Sequence, residues 1–209
     1  MIKNILFDMG GVVFRQNSEE AYRRFRQMGI DTDCYMGNYG QKDFFLDVET
    51  GAISATEFCR KMAKATGRKE ISWEEARHCW LGFIRDVPVE RLHCLLELKK
   101  DYHICLLSNT NPFIMDFTRS NQFSTDGKPI TEYFHTLFCS YEMKAYKPNA
   151  DIFLKALEAD RMKAEETLFL DDSLKNINAA KALGIQGLHV APDEDWTGIL
   201  EERLQQNHL

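Results

Sequence analysis

Short apolar runs that stop abruptly at polar residues constrain this chain more than any other feature. Ile2–Phe7, His103–Leu107, Thr136–Cys139 and Thr167–Leu170 are four such runs, with Gly187–Val190 a fifth. They do not alternate apolar with polar residues, and a run of this kind suits a strand buried on both faces. Helical patterns fill the gaps: Val89–Lys100, Pro112–Ser120, Ala150–Ala159 and Ser173–Leu183, the last with Leu174, Ile177, Ala180 and Leu183 on roughly one face. Alternation of strand and helix predicts an α/β fold, a doubly wound parallel sheet with helices on both sides.

The stretch from 16 to 86 breaks that rhythm. It is rich in helix formers and contains no convincing strand. Two capping-box signatures, Ser54 with Glu57 and Ser72 with Glu75, mark helix starts, and a Thr50-Gly51 turn separates two of its helices. Residues 16–86 therefore read as a helical unit inserted into a core formed by 1–15 and 87–209. Thr197–Leu209 reads as a last helix that frays.

Composition narrows the function classes. A chain of 209 residues buries a sizeable core without disulfides. Its 26 basic and 32 acidic residues leave a formal charge of -6 with no basic stripe, which argues against a nucleic-acid partner. The six cysteines, Cys34, Cys59, Cys79, Cys94, Cys105 and Cys139, form no C-x-x-C pair, so neither a zinc site nor a redox motif is indicated. Cys105 reads as a small buried hydrophobe, which fits a reducing, cytoplasmic setting. Lys3 and Asp8 interrupt the apolar amino terminus, so neither a targeting segment nor a membrane span is predicted.

Four polar clusters follow the apolar runs: Asp8-Met9-Gly10-Gly11, Ser108-Asn109-Thr110, Lys147-Pro148 and Asp171-Asp172-Ser173. An open α/β sheet forms its binding crevice at the carboxyl ends of its strands, so these clusters are expected to converge. Each also has a plainer explanation. Asp8 before two glycines suits a turn residue bonding its own backbone. As a functional group it is a carboxylate placed to attack phosphorus, with glycine amides able to approach the phosphate closely. Ser108 and Asn109 belong either to a capped connection, with Asn111 as N-cap and Pro112 opening the helix, or to a phosphate site as donors. Lys147, before Pro148 and the expected N-cap Asn149, is either a solvated loop charge or a cation balancing nucleophile and phosphate. Asp171 and Asp172 repel each other unless positive charge lies close, and magnesium would supply it; helix capping near Ser173 competes but needs only one of them.

In this order, Phe7–Val12, Leu107–Thr110, Lys147-Pro148 and Phe169–Ser173 resemble the four signature motifs of the haloacid dehalogenase superfamily. The likeness spans nearly the whole chain, because the helical stretch resembles the small cap this superfamily places between motifs one and two. The Asp-x-Gly first motif and the Ser-Asn-Thr-Asn run of Ser108–Asn111 look closest to the glucose-1-phosphate phosphatase-like subgroup. The resemblance implies a Rossmann-like core and a magnesium-dependent phosphatase acting on a small phosphorylated metabolite, a hexose 1-phosphate favoured. It implies Asp8 as nucleophile and magnesium ligand, the Gly10 carbonyl and Asp172 as further ligands, and Asp171 as a ligand directly or through water. Ser108, Asn109 and Gly11 would hold the phosphate, and Lys147 would complete the charge balance. The cap would exclude bulk water and choose the leaving group.

One departure matters. Most phosphatases of the superfamily carry a second Asp two residues after the nucleophile, which protonates the departing oxygen; here that position is Gly10. An unreplaced general acid costs on the order of 10²–10⁴ in rate. A water or cap residue, or an acidic anomeric leaving group, would answer the loss; a non-catalytic phosphometabolite-binding relative is the alternative. Dehalogenation conflicts with the paired Asp171 and Asp172, which would repel an acid substrate. Phosphonate cleavage requires a cap lysine, and Lys42, Lys61, Lys64 and Lys69 are candidates. The cap aromatics Phe44, Phe45, Trp73, Trp80 and Phe83 could line a specificity pocket, with packing the default reading; Asp47 and Glu49 could meet sugar hydroxyls, with a solvated face the default.

Overall fold

Parallel pairing of short apolar strands organises the molecule, as seen in a computed structural model that describes residues 1–37, 40–192 and 194–206. Strands β1 (Asn4–Phe7), β2 (His103–Ser108), β3 (Thr136–Cys139), β4 (Thr167–Asp171) and β5 (Gln186–His189) form one sheet in the order β3-β2-β1-β4-β5. Every neighbouring pair is parallel. All residues of β1 and β4 are buried. Successive side chains point to opposite faces, so these strands feed two cores. Ile5, Phe7, Ile104, Leu106, Leu168 and Leu170 enter one, while Leu6, Cys105, Leu107 and Phe169 enter the other. Order 3-2-1-4-5 puts β1 between β2 and β4, so the three loops leaving their carboxyl ends are neighbours.

The expected helices form over Val89–Asp101, Pro112–Thr118, Ala150–Ala159 and Leu174–Ala182. Asn111 caps its helix as anticipated, its Oδ1 accepting from Phe113 N–H at 3.1 Å and Ile114 N–H at 3.2 Å. Asn149 holds the N-cap position before Ala150, but its side chain makes no cap bond. The last helix covers Trp196–Gln205, and residues 207–209 of the expected helix lie outside the described residues.

Between β1 and β2 run the helices Ser18–Gln27, Thr32–Tyr35, Asp43–Glu49, Ala55–Thr66 and Trp73–Trp80. Aromatic packing joins them. The Phe45 ring lies 5.1 Å from Phe25, 5.0 Å from Phe58 and 5.6 Å from Trp80. Phe58 also meets Phe113 at 5.5 Å, so this cluster is continuous with one core of the sheet. Phe44, Phe45, Trp73, Trp80 and Phe83 are all part of that packing. The Ser72 capping box is complete, with bonds of 3.2 Å and 2.8 Å. The Ser54 box is half made, because the Glu57 carboxylate turns to Arg60 at 2.7 Å and 2.6 Å. Contrary to expectation the segment does hold strands. Met36–Gly37 pairs with Gly40–Gln41, and Arg15–Gln16 pairs antiparallel with Ile84–Asp86 where the segment leaves and returns. Pieces this short are below the length at which a two-residue period is visible.

Candidate active site

β1 delivers Asp8 to the carboxyl end of the sheet, where its N–H donates to the Leu170 carbonyl at 2.9 Å. The chain then turns: Gly11 N–H donates to Phe14 O at 2.8 Å and Phe14 N–H to Met9 O at 3.1 Å, which leaves the Gly10 carbonyl outside the turn's own bonds. Gly11 has φ +79°, and a Cβ there would lie 2.5 Å from Asp172 Oδ2. Only glycine lets the first loop press this closely on the last motif. A Cβ on Gly10 would collide with the side-chain amide of Gln16. The space expected to hold a second carboxylate is therefore filled by an amide from the two-stranded ribbon. Arg91, 3% exposed, holds the loop from behind, donating to Gly11 O at 3.1 Å, Val12 O at 2.8 Å and Glu194 O at 2.7 Å.

Lys147 is the cation of the site. Its Nζ, with the side chain 1% exposed, stands 2.8 Å from Asp8 Oδ1 and 2.8 Å from Asp171 Oδ2. Contrary to expectation, the residue does not directly follow a strand, because the short helix Ser140–Met143 intervenes after β3. It precedes a cis peptide bond to Pro148. Asn109 fastens it: Lys147 N–H donates to Asn109 Oδ1 at 2.8 Å, and Asn109 Nδ2 donates back to Lys147 O at 3.0 Å. The Asn109 side chain, expected to serve phosphate, thus positions the lysine. Ser108, buried at the end of β2, turns its hydroxyl no closer than 3.4 Å to the Asn109 carbonyl.

Asp171 ends β4 with both oxygens engaged. Oδ1 accepts from Ser173 N–H at 2.8 Å and Asn176 Nδ2 at 3.0 Å; Oδ2 accepts from Lys147 and from Asn176 Nδ2 at 3.0 Å. One carboxylate oxygen each from Asp8, Asp171 and Asp172 lie within 4.8 Å of one another. Burial pushes Asp8 up to about 7; Lys147 opposes the rise, and Asp171 and Asp172 add to it. Burial, then Asp171, pushes Asp172 up to about 6. Burial pulls the Lys147 ammonium down, but Asp171 and Asp8 more than offset this and its pKa rises. Carboxylate oxygens crowded this closely form a hard oxygen donor set, the chemistry magnesium prefers.

Asp8, Gly10, Ser108, Asn109, Lys147 and Asp172 all line one cleft of about 450 Å³. Gly11 and Asp171 do not. Asp171 sits fully buried beneath the cleft, and the Gly11 N–H expected to approach phosphate is already given to Phe14. None of Lys42, Lys61, Lys64 and Lys69 lines the cleft; the lysines that do are Lys147 and Lys175.

Glu49 departs from the solvated face that is its default expectation. Asp47 does sit at the surface, 4.0 Å from Lys61. Glu49, 6% exposed, lines the cleft instead, its Oε2 accepting from Tyr146 Oη at 2.8 Å. The following turn presses against the core: Ser140 Oγ donates to Glu49 O at 2.6 Å, and Gly51, φ +71°, leaves no room for a Cβ beside the Tyr141 carbonyl. The Thr50-Gly51 turn was the available signal, but which neighbouring acid it buries depends on what it meets across the cleft.

Comparison with known proteins agrees with this geometry. The model of the haloacid dehalogenase-like hydrolase family matches residues 2–184. The chain is 39% identical to D-ribitol-5-phosphate phosphatase of Bacteroides thetaiotaomicron, over 94% of this chain and 95% of that one. A predicted HAD-like family hydrolase from Porphyromonas gingivalis superposes with a TM-score of 0.93 at 35% identity, covering 98% of each chain. A HAD family enzyme from Bacteroides thetaiotaomicron, crystallised with magnesium and inorganic phosphate, superposes with a TM-score of 0.86 at 32% identity, covering 95% of this chain and 99% of that one. With its sheet order, its converging acidic loops and these matches in agreement, the chain belongs to the haloacid dehalogenase-like hydrolase family.

Proposed function

We propose that this hydrolase is a magnesium-dependent phosphatase of small phosphorylated metabolites, with sugar and sugar-alcohol phosphates as its substrate class. The observation that carries the reading is the meeting of Asp8, Lys147 and Asp172 in one cleft with Ser108 beside them. The relative that acts on D-ribitol 5-phosphate moves the favoured substrate from a hexose 1-phosphate toward a polyol phosphate. Asp8 attacks phosphorus through the oxygen not paired with Lys147, forming an aspartyl-phosphate that water then hydrolyses. Ser108 donates to a phosphate oxygen, and Lys147 holds the nucleophile ionised and oriented. Asp8, Asp172 and the Gly10 carbonyl would hold the magnesium ion, which would supply positive charge against the phosphate. Asp171, with its four donor contacts, acts through Lys147 or water and not as a direct ligand. Residues 16–86 serve as the cap that walls the cleft. Six unpaired thiols suit a cytoplasmic setting, and no described helix is long and apolar enough to cross a membrane.

The test is a panel of sugar, polyol and aryl phosphates assayed with and without magnesium. We expect release of phosphate that requires the metal and falls below detection in Asp8→Asn. Phosphate binding without turnover in the wild type would instead assign a binding protein.

A further inference from the structure

Breaking the ester of a polyol phosphate expels an ordinary alkoxide, which needs a proton as it leaves. The acidic anomeric oxygen that would ease this problem for a sugar 1-phosphate is absent from a polyol. Position 10 has no side chain, and Gln16, whose amide fills that space, has no proton to transfer at neutral pH. The titratable residues of the cleft are Asp8, Glu49, Tyr146, Lys147, Asp172 and Lys175. Asp8 is the nucleophile, Asp172 belongs to the cation site, and Lys147 is tied to two carboxylates. Lys175 is exposed, a strongly hydrated charge on a flexible stem.

Glu49 remains. It is 6% exposed, lines the same cleft as Asp8, and the influences on its ionisation are burial, Tyr146 and Asn111, with no cation among them. Burial lifts it to about 7, with the Tyr146 hydrogen bond and the Asn111 amide opposing the rise. An acid near that value is suited to giving up and regaining a proton at neutral pH. The carboxylate left behind has a donor waiting in the Tyr146 hydroxyl at 2.8 Å. The Ser140 bond to its carbonyl and the tight Gly51 turn fix its backbone, so its reach is set by the fold.

We infer that Glu49 is the general acid of this enzyme, protonating the leaving alcohol, with Tyr146 as its positioning residue. As the Asp8–phosphorus bond forms and the ester P–O bond breaks, the departing oxygen takes the Glu49 proton. When water then attacks the aspartyl-phosphate, its proton returns to Glu49 and Asp8 is released. The inference rests on the phosphatase reading above and supplies the group that reading lacks.

The experiment compares kcat/KM for D-ribitol 5-phosphate and p-nitrophenyl phosphate in wild type, Glu49→Gln and Tyr146→Phe with saturating magnesium. Glutamine has the shape of the protonated carboxyl, so the fold is kept, and thermal melting checks this. Because nitrophenolate leaves without a proton, Glu49→Gln is expected to lower the polyol-to-aryl ratio of kcat/KM by about 10²-fold or more. Tyr146→Phe is expected to lower that ratio about 3- to 10-fold through loss of one hydrogen bond to the carboxylate. A ratio unchanged in Glu49→Gln, whether both rates persist or both collapse, overturns the proton-donor role. Inactivity of the wild type on every phosphate ester tested would instead overturn the phosphatase reading itself.

Discussion

Replacing Lys147 by methionine isolates what the buried cation does for the acidic cluster. The Nζ makes two contacts of 2.8 Å, to Asp8 and Asp171, from a side chain 1% exposed. At an effective dielectric of about 20, each contact is worth roughly 6 kcal/mol of gross attraction. Much of that offsets the cost of taking three charges out of water. Deleting one partner of such a buried set leaves a net loss of about 3–5 kcal/mol. For a chain of this size that is a fall in Tm of roughly 6–20 °C. The loss depends on pH in a definite direction. Without the lysine, Asp8 is driven further above its ordinary 3.8 than the value of about 7 it has now. A carboxyl raised on folding carries its full penalty above the folded pKa and sheds it as pH falls. Lys147→Met should therefore be destabilised most at pH 8 and much less at pH 5.5, measured by urea unfolding of the metal-free protein at both values. A loss below about 1 kcal/mol at pH 8, or an equal loss at both, would refute the electrostatic account.

Two further outcomes follow from the same geometry. In chelator, Asp8 at about 7 and Asp172 at about 6 hold protons in the folded state that the unfolded chain, near 3.8, has released. Stability of the wild type should therefore rise as pH is lowered from 8 to 6, and saturating magnesium should flatten or reverse that slope; a metal-free Tm that falls over this interval contradicts it. Gly51→Ala forces a Cβ at φ +71° toward the Tyr141 carbonyl and should cost about 1–3 kcal/mol in urea unfolding. A cost within about 0.5 kcal/mol would mean that the turn is not docked as described.

What could be read without coordinates, and what could not, divides along a physical line. β1 and β4 are legible because strands buried on both faces must be apolar throughout, and the residue that ends such a run, Asp8 or Asp171, stands out against it. Asn111 and Pro112 are legible because capping is local. The fates of Asn109, Glu49, Gln16 and Arg91 are set by partners 38, 97, 6 and 80 residues away in sequence. No local pattern encodes those meetings. Arg91 lies in an ordinary helical stretch and would pass for a solvated charge, yet it is buried against three carbonyl oxygens. Glu49 differs from Asp47 only in which side of one helix end faces the cleft.

The ribbon of Arg15–Gln16 with Ile84–Asp86 is short and lies at the margin of the fold, but it contributes an atom group at the heart of the cleft. The helical segment leaves and returns through this seam, and the amide of Gln16 sits on it against Gly10. The register of this ribbon therefore fixes how much room is left beside the nucleophile. The volume of the side chain at position 16, a residue outside the acidic cluster, sets the space over Gly10.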